Sequence, residues 1–436
     1  MAPKRKANGD SVGGSQADEF AKPSDDTKES SAEFAKPVYL VAARDDDPAA
    51  YSVLEIDAAA AAGGDEPPRI RTVAGLPASS EPGMSFVAAH SKHGSWIVGV
   101  GGGLRAGTII FDPRTLKTFH GPRLGYPKHE PVLISHGSEV YAISRRPRVV
   151  PRIDCEPWFE CLSFNKGVPS KDCGLWVSWS DLPSPPFFPS FLNPYEFRNP
   201  PEISVSSYAV MGSYILISPQ PELVVGTYAF HVVNKTWEKI HDENLPFVGQ
   251  ALPIGGSLFA ACPISNNSIT ASASASVFHM SIKVPPSTLV AAVSNPSLSI
   301  QEFKLVASED KIPWPLFCPM GKDSFCFIRL GSSCRRQSRK ASKKLKVSLT
   351  ALWIENTEAI MTHCQSQGAK AKDLLVAFQV KEQSHKCKSK GLFGMSVVAA
   401  FSMDTENVEL GDEMMDTIAS RATDSTVFEA PVIRIG

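Results

Sequence analysis

The sharpest chemical signature in this 436-residue chain is one basic run, Arg335-Arg336-Gln337-Ser338-Arg339-Lys340-Ala341-Ser342-Lys343-Lys344-Leu345-Lys346. Arg335, Arg336, Arg339, Lys340, Lys343, Lys344 and Lys346 form the set that a nuclear-localisation signal, an anionic partner or nucleic-acid phosphates would use. Ser338 and Ser342 each follow an arginine by three residues, a spacing that basophilic kinases favour, and phosphate there would partly neutralise the run. No aromatic side chain interleaves it, which counts against single-strand nucleic-acid binding. A solvated loop with no partner is the plain alternative. Lys4-Arg5-Lys6 is a second, much shorter basic cluster.

A different chemistry is offered by two irregular stretches rich in proline. Arg145, Arg146 and Arg148 precede Trp158 and Phe159, and Phe187, Phe188, Phe191, Tyr195 and Phe197 follow between Pro183 and Pro201. Stiff loops that carry aromatics and arginine present contact area at low entropic cost, as protein-binding surfaces do. The same aromatics can instead pack back as a satellite core over their own strands.

Other reactive constellations are weak. His363-Cys364 and His385-Lys386-Cys387 are the tight His/Cys pairs, and no second pair stands at zinc-finger spacing. There is no Gly-x-Ser-x-Gly elbow and no Gly-x-x-x-x-Gly-Lys loop. Gly99 to Gly103 precedes a strand pattern, not the helix that a dinucleotide loop requires. The sequence therefore predicts no catalytic residue, no cofactor and no metal. A channel enzyme, the competing expectation, would need His, Asp, Glu or Arg on the innermost strands, where His90 and His136 are the nearest candidates.

The elements that position these groups are strands. Five times an apolar run, a turn glycine and a second apolar run recur. They span Phe86 to Val98 around Gly94, Val132 to Ile143 around Gly137, and Tyr208 to Ile217 around Gly212. Two more span Ala251 to Ala260 around Gly255 and Leu316 to Ile328 around Gly321. Separations that cluster near the roughly 40–50 residues of a propeller blade, or somewhat more where a long loop intervenes, point to a β-propeller. Gly107-Thr108-x-x-Phe111 leading to Lys117-Thr118-Phe119 recurs as Gly226-Thr227-x-x-Phe230 leading to Lys235-Thr236-Trp237, marking the third and fourth strands of two units. The first unit, with Tyr39-Leu40-Val41, Tyr51 to Ile56 and Ile70 to Val73, lacks an inner strand. Val397 to Phe401 or Val427 to Ile435 is expected to fill that gap and close the ring.

Gly101-Gly102, then Phe111-Asp112-Pro113-Arg114-Thr115 and Phe119, resemble a kelch repeat, and the Trp237 unit resembles its second half. Over residues 37 to about 400 the chain is similar to the divergent kelch-like propellers of grasses. The resemblance implies an interaction scaffold. An F-box has no room before Tyr39, so a ubiquitin-ligase adaptor role is not implied.

The expected architecture is all-β: a kelch-like propeller of six four-stranded blades closed by a C-terminal strand, over residues 37–436, with the basic loop inserted at about 332–346. Residues 1–36, rich in Lys, Asp, Glu, Ser and Gly, are expected to be a disordered tail. A net charge of −1 argues against a general polyanion binder, and no run of 18 apolar residues is present to cross a membrane. The cysteines number nine, an odd count, and Cys262, Cys318 and Cys326 lie in apolar runs, as free thiols of a reducing compartment do. The expectation is a monomeric cytoplasmic or nuclear protein that binds an unidentified protein partner, with nucleic acid a poorer fit.

Overall fold

The computed structural model describes residues 37–44, 47, 50–56, 70–77, 82–103, 107–149, 155–170, 177–189, 202–264, 275–283, 296–304, 316–321, 324–332, 345–365, 378–386 and 395–403. The expected tail 1–36, most of the basic run and the alternative closing strand Val427 to Ile435 lie outside them.

Strands β1 (Val38–Arg44), β2 (Tyr51–Ile56) and β3 (Ile70–Gly75) begin the first sheet. The second is β4 (Met84–Ser91), β5 (Gly94–Gly101), β6 (Thr108–Asp112) and β7 (Lys117–His120). The third is β8 (Val132–His136), β9 (Glu139–Ile143), β10 (Phe159–Ser163) and β11 (Ser180–Asp181). One antiparallel meander follows in β12 (Val205–Met211), β13 (Tyr214–Pro219), β14 (Thr227–His231) and β15 (Thr236–His241). Another is β16 (Phe247–Gly255), β17 (Leu258–Pro263), β18 (Ser276–Lys283) and β19 (Ser297–Lys304). Then come β20 (Leu316–Gly321), β21 (Ser324–Ser332), β22 (Leu345–Ile354), helix α1 (Thr357–Gln365), β23 (Phe378–Lys386) and β24 (Met395–Ser402).

Each glycine-turned phrase of the sequence is an antiparallel hairpin: β4–β5, β8–β9, β12–β13, β16–β17 and β20–β21. Gly137 and Gly212 take φ of 56° and 52° in these turns, where a side chain would be strained. The described strands form four four-stranded sheets and one eight-stranded sheet. The eight-stranded sheet joins the two central meanders by short parallel pairing of β12 with β16, from Ser207 opposite Gly249 to Ala209 opposite Ala251.

Closure is supplied by the first of the two expected segments. β24 pairs antiparallel with β1, from Val38 opposite Ser402 to Arg44 opposite Met395. Both edges of β1 are thereby used, and no open edge is left there for another chain to add to.

The period of two along a strand explains how the sheets stack. On β5, Ile97 enters a cluster with Tyr39, Val41 and Tyr51 of the first sheet, whereas Trp96, Val98 and Val100 enter one with Leu133, Val140 and Leu162 of the third. The same two-sided burial continues from the third sheet to β12–β15, on to β16–β19, then to β20–β23, and back to the first sheet through Leu40, Leu54, Cys318 and Cys326. The inner strands β24, β4, β8, β12, β16 and β20 lie beside one another in that order, and β20 returns to β24. The result is an all-β, propeller-like arrangement.

Two sequence features acquire physical reasons. Thr108 and Thr227 are buried at the head of their strands, and their hydroxyls donate to Pro122 O (2.7 Å) and Glu243 O (2.8 Å), tying the third strand to the segment after the fourth. A Cβ on Gly101, whose φ is 108°, would stand 2.7 Å from Gly83 O, so the first glycine of the pair is required by close backbone approach. The Lys-Thr-aromatic phrase, in contrast, does not keep one register. Phe119 lies opposite Ile110, but Trp237 lies opposite Phe230, because both turns hold four residues while the aromatic of the second sheet comes one position later. A one-residue offset sends the two rings to opposite faces.

Candidate partner-binding face

The connection from β9 to β10 carries Arg145, Arg146 and Arg148, and it is anchored at several points. Ser144 N donates to Trp158 O (2.8 Å) across its base, and Val205 N donates to Arg145 O (2.8 Å), fixing it to β12. Arg145 Nε donates to Glu130 O (2.9 Å) in the β7–β8 connection, so Arg145 is half-buried and engaged. Arg146 and Arg148 stand exposed, and Arg148 meets Glu202 at 3.8 Å with both side chains largely in solvent. An exposed pair at that distance adds little stability.

The neighbouring connections lace to one another. Gln220 Oε1 accepts from Ser204 N (2.6 Å) and its Nε2 donates to Glu202 O (2.6 Å). Asn244 Nδ2 donates to Gln220 O and Leu223 O, while its Oδ1 accepts from Gly226 N (3.0 Å). These segments (residues 145–149, 202–204, 220–226 and 242–246) form one end of the molecule, the loop end. Next to it Tyr208 has its phenol pushed up by burial, against a smaller lowering influence of Arg145.

Under the arginine loop lies an ion pair with no sequence motif. Lys128 and Glu160 are both fully buried and bonded to each other, Lys128 Nζ also donates to Pro157 O (2.7 Å) and Tyr126 O (3.3 Å), and Glu160 Oε1 accepts from Gly125 N (2.6 Å). Every polar atom of both groups is satisfied, as a buried charge requires. The pair clamps the β7–β8 connection to the start of β10. The available signal was Glu160 itself, a charge inside the apolar run Trp158 to Phe164, since such a residue is rarely buried without a partner.

The aromatics expected to present contact area are turned inward. Trp158 is 3 % exposed and Phe159 and Phe188 are fully buried, within a cluster shared by the third sheet and β12–β15, and Phe187 packs half-buried against it. Phe159 meets Phe230 at 4.9 Å and Trp237 at 5.6 Å, and Trp158 meets Phe188 edge-on at 5.9 Å. The physical reason is the inter-sheet gap: a satellite core of rings fills it. Trp237 Nε1 donates to Pro183 O (2.7 Å), pinning the proline-rich segment to the fourth strand. Phe191, Tyr195 and Phe197 lie outside the described residues.

Arg335, Arg336, Arg339, Lys340, Lys343 and Lys344 also lie outside them, and Lys346 sits on β22, opposite Gly331 and Lys386. His90 and His136 lie at the opposite end, the turn end. His90 Nδ1 is 2.8 Å from Ser95 Oγ, and His136 Nε2 is 2.6 Å from Gly212 O, to which it donates. Among the described residues no group of three or more His, Cys, Asp or Glu is placed to hold a metal ion, and no helix is long and apolar enough to cross a membrane. None of the six described cysteines is joined in a disulfide; burial pushes Cys262 and Cys326 up to about 12.

Comparison with known sequences matches residues 35–373 to the family described as "Protein of unknown function (DUF1668)". No curated protein matches the chain. Among solved structures, YjhT is similar at 11 % identity and a TM-score of 0.36, over 78 % of this chain and 97 % of that one. TolB from Acinetobacter baumannii is similar at 12 % and 0.33, over 72 % and 61 %. The WD40 domain of SCAP from fission yeast is similar at 9 % and 0.31, over 77 % and 74 %.

Proposed function

This chain belongs to the DUF1668 family, and we propose that it is a non-enzymatic, kelch-like interaction scaffold whose loop end binds a protein partner. The observation that carries the reading is the preorganisation of Arg146 and Arg148: two exposed guanidinium groups on a loop anchored by Arg145 and by the buried Lys128–Glu160 pair. Binding to a fixed loop avoids the ordering cost that a mobile one would incur. Arginine is enriched where interfaces concentrate their energy, through bidentate bonds to carboxylates and backbone oxygens. The division of the eight-stranded sheet into two four-stranded meanders at β12 and β16 supports a count of six blades in a single ring from residue 37 onward. The scaffold requires no cofactor in this reading, and the basic run 335–346 serves as an address to the nucleus.

The test is co-purification from the cell of origin with the unaltered chain and with Arg146→Glu/Arg148→Glu. An interface arginine contributes about 2 kcal/mol or more, so recovery of a specific partner should fall by roughly 30-fold or more while the melting temperature stays unchanged. Equal recovery with both chains would remove the loop end as the interface.

A further inference from the structure

Two cysteines face each other across one hairpin. In β20–β21 the register sets Phe317 opposite Phe327, Cys318 opposite Cys326 and Pro319 opposite Phe325. Residues directly opposite in an antiparallel pair share a face, with Cα atoms about 4.5–5.5 Å apart. That lies inside the range of about 4.4–6.8 Å that a disulfide spans without backbone movement. Among the described cysteines the placement is not repeated. Cys161 lies opposite Tyr141 and Ser180, Cys262 lies opposite Val248, and Cys155 and Cys364 lie outside the strands.

The pair sits where the ring closes. Both thiols are buried in one cluster with Leu40 and Leu54 of the first sheet and Ala400 of β24. A backbone hydrogen bond from Ser402, the last residue of β24, reaches the Cys318 thiol, and Cys318 Sγ lies 3.7 Å from Pro319 O. Burial first, and then the facing Cys326, push the Cys318 thiol well up, against a lowering by the Ser402 contact. Burial pushes Cys326 up to about 12. The thiolate is the form that oxidants attack, and at neutral pH Cys326 offers roughly 10³-fold less of it than an ordinary exposed cysteine. The closed seam therefore protects two thiols that are already placed to bond. Lifting one strand from a sheet takes less free energy than unfolding the chain, so the protection is local and reversible.

We propose that Cys318 and Cys326 are an oxidation site gated by ring closure: when β24 lifts from the seam, hydrogen peroxide converts them to a cross-strand disulfide. The thiolate of one cysteine attacks a peroxide oxygen and breaks the O–O bond, giving a sulfenic acid and one water. The sulfur of the other then displaces hydroxide from the sulfenyl sulfur, forming the S–S bond, and the hydroxide leaves as water with the second thiol proton. Two thiols and one peroxide become one disulfide and two waters. The bond draws the sulfurs to about 2.05 Å, so the oxidised hairpin turns a changed face to Leu40 and Ala400. The chain keeps this record of an opening until a thiol reductant restores the pair. Register and burial at the seam carry the inference, which does not depend on the loop-end reading.

Timed treatment of the full chain with hydrogen peroxide, followed by thiol blocking and non-reducing tryptic mass spectrometry, tests this. Cleavage after Lys322 and Arg329 separates Cys318, Cys326 and Cys334, so the bond shows as two joined peptides. The expected product is a Cys318–Cys326 link that dithiothreitol reverses. It should form at least about 10-fold faster in Ala400→Asp, which sets a charge against the seam. It should also form faster in Ala400→Gly, a milder loosening of β24 that serves if the aspartate prevents folding. In Cys326→Ser, dimedone should trap Cys318 as the sulfenic acid. Three results would overturn the proposal: links from either cysteine to a different thiol, no link under peroxide that oxidises the urea-unfolded chain, or equal rates in the unaltered chain and both Ala400 variants.

Discussion

Glu160→Gln is the substitution whose effect follows most directly from the structure. The amide oxygen can still accept from Gly125 N, at 2.6 Å in the native chain, so backbone bonding is preserved. What is lost is the counter-charge of Lys128, whose ammonium is then left fully buried beside the neutral acceptors Pro157 O and Tyr126 O without its carboxylate. Breaking a buried pair from one side costs about 3–5 kcal/mol, a large part of the roughly 5–15 kcal/mol that holds a folded protein together. With a urea slope of about 3 kcal/mol per molar, the midpoint should fall by about 1–1.7 M. Equilibrium unfolding followed by tryptophan fluorescence reads it. Lys128→Met/Glu160→Gln removes the orphaned charge, so the double variant should be more stable than Glu160→Gln alone, with a coupling of about 2 kcal/mol or more. A loss below about 1 kcal/mol for Glu160→Gln, or strict additivity in the double variant, would refute the reasoning.

Three further outcomes are expected. Gly226→Ala should destabilise by about 3 kcal/mol in the same assay, because φ is 99° and the new Cβ would stand 2.4 Å from His241 O, a backbone atom. Thr227→Val should cost about 1–3 kcal/mol, since it removes the donor to Glu243 O and the acceptor for Ser218 Oγ, whereas Thr236→Val at an exposed position should change almost nothing. Tyr39 is pushed up to about 12 by burial and then by Glu55, against a smaller lowering by Arg71. Its folded value lies above the unfolded value of about 10, so its contribution is complete below about pH 10 and is lost as pH rises toward 12. Tyr39→Phe should therefore flatten the alkaline limb of a stability-versus-pH curve, and an unchanged limb would contradict the assignment.

Local pattern was legible in the sequence where local physics decides it. Each glycine-turned phrase became a hairpin because a tight turn and period-two alternation specify strand, register and buried face together. The missing inner strand of the first sheet was legible as an edge left unpaired, and Val397 to Phe401 as one of two apolar runs able to pair with it, the other being Val427 to Ile435; the choice between them needed the pairing of β24 with β1. The Lys-Thr-aromatic phrase marked the fourth strand of both sheets but not a common register, since similar letters do not fix register when the turn consumes a fixed number of residues. Trp158, Phe159 and Phe188 could be read as surface or core, and the decision lay in Phe230 and Trp237, far along the chain. Lys128 carried no local signal at all, because its partner is 32 residues away and its burial is a property of the packed sheets.

The most direct measurement of the central claim is hydrogen–deuterium exchange of the full chain with and without the partner recovered by co-purification. Exchange should slow in residues 145–149, 202–204 and 221–225 of the loop end, and stay unchanged in the turns at 92–94 and 165–167. Protection confined to those turns, or to the inner strands that line the axis, would contradict a scaffold that binds through the arginine-bearing loop end.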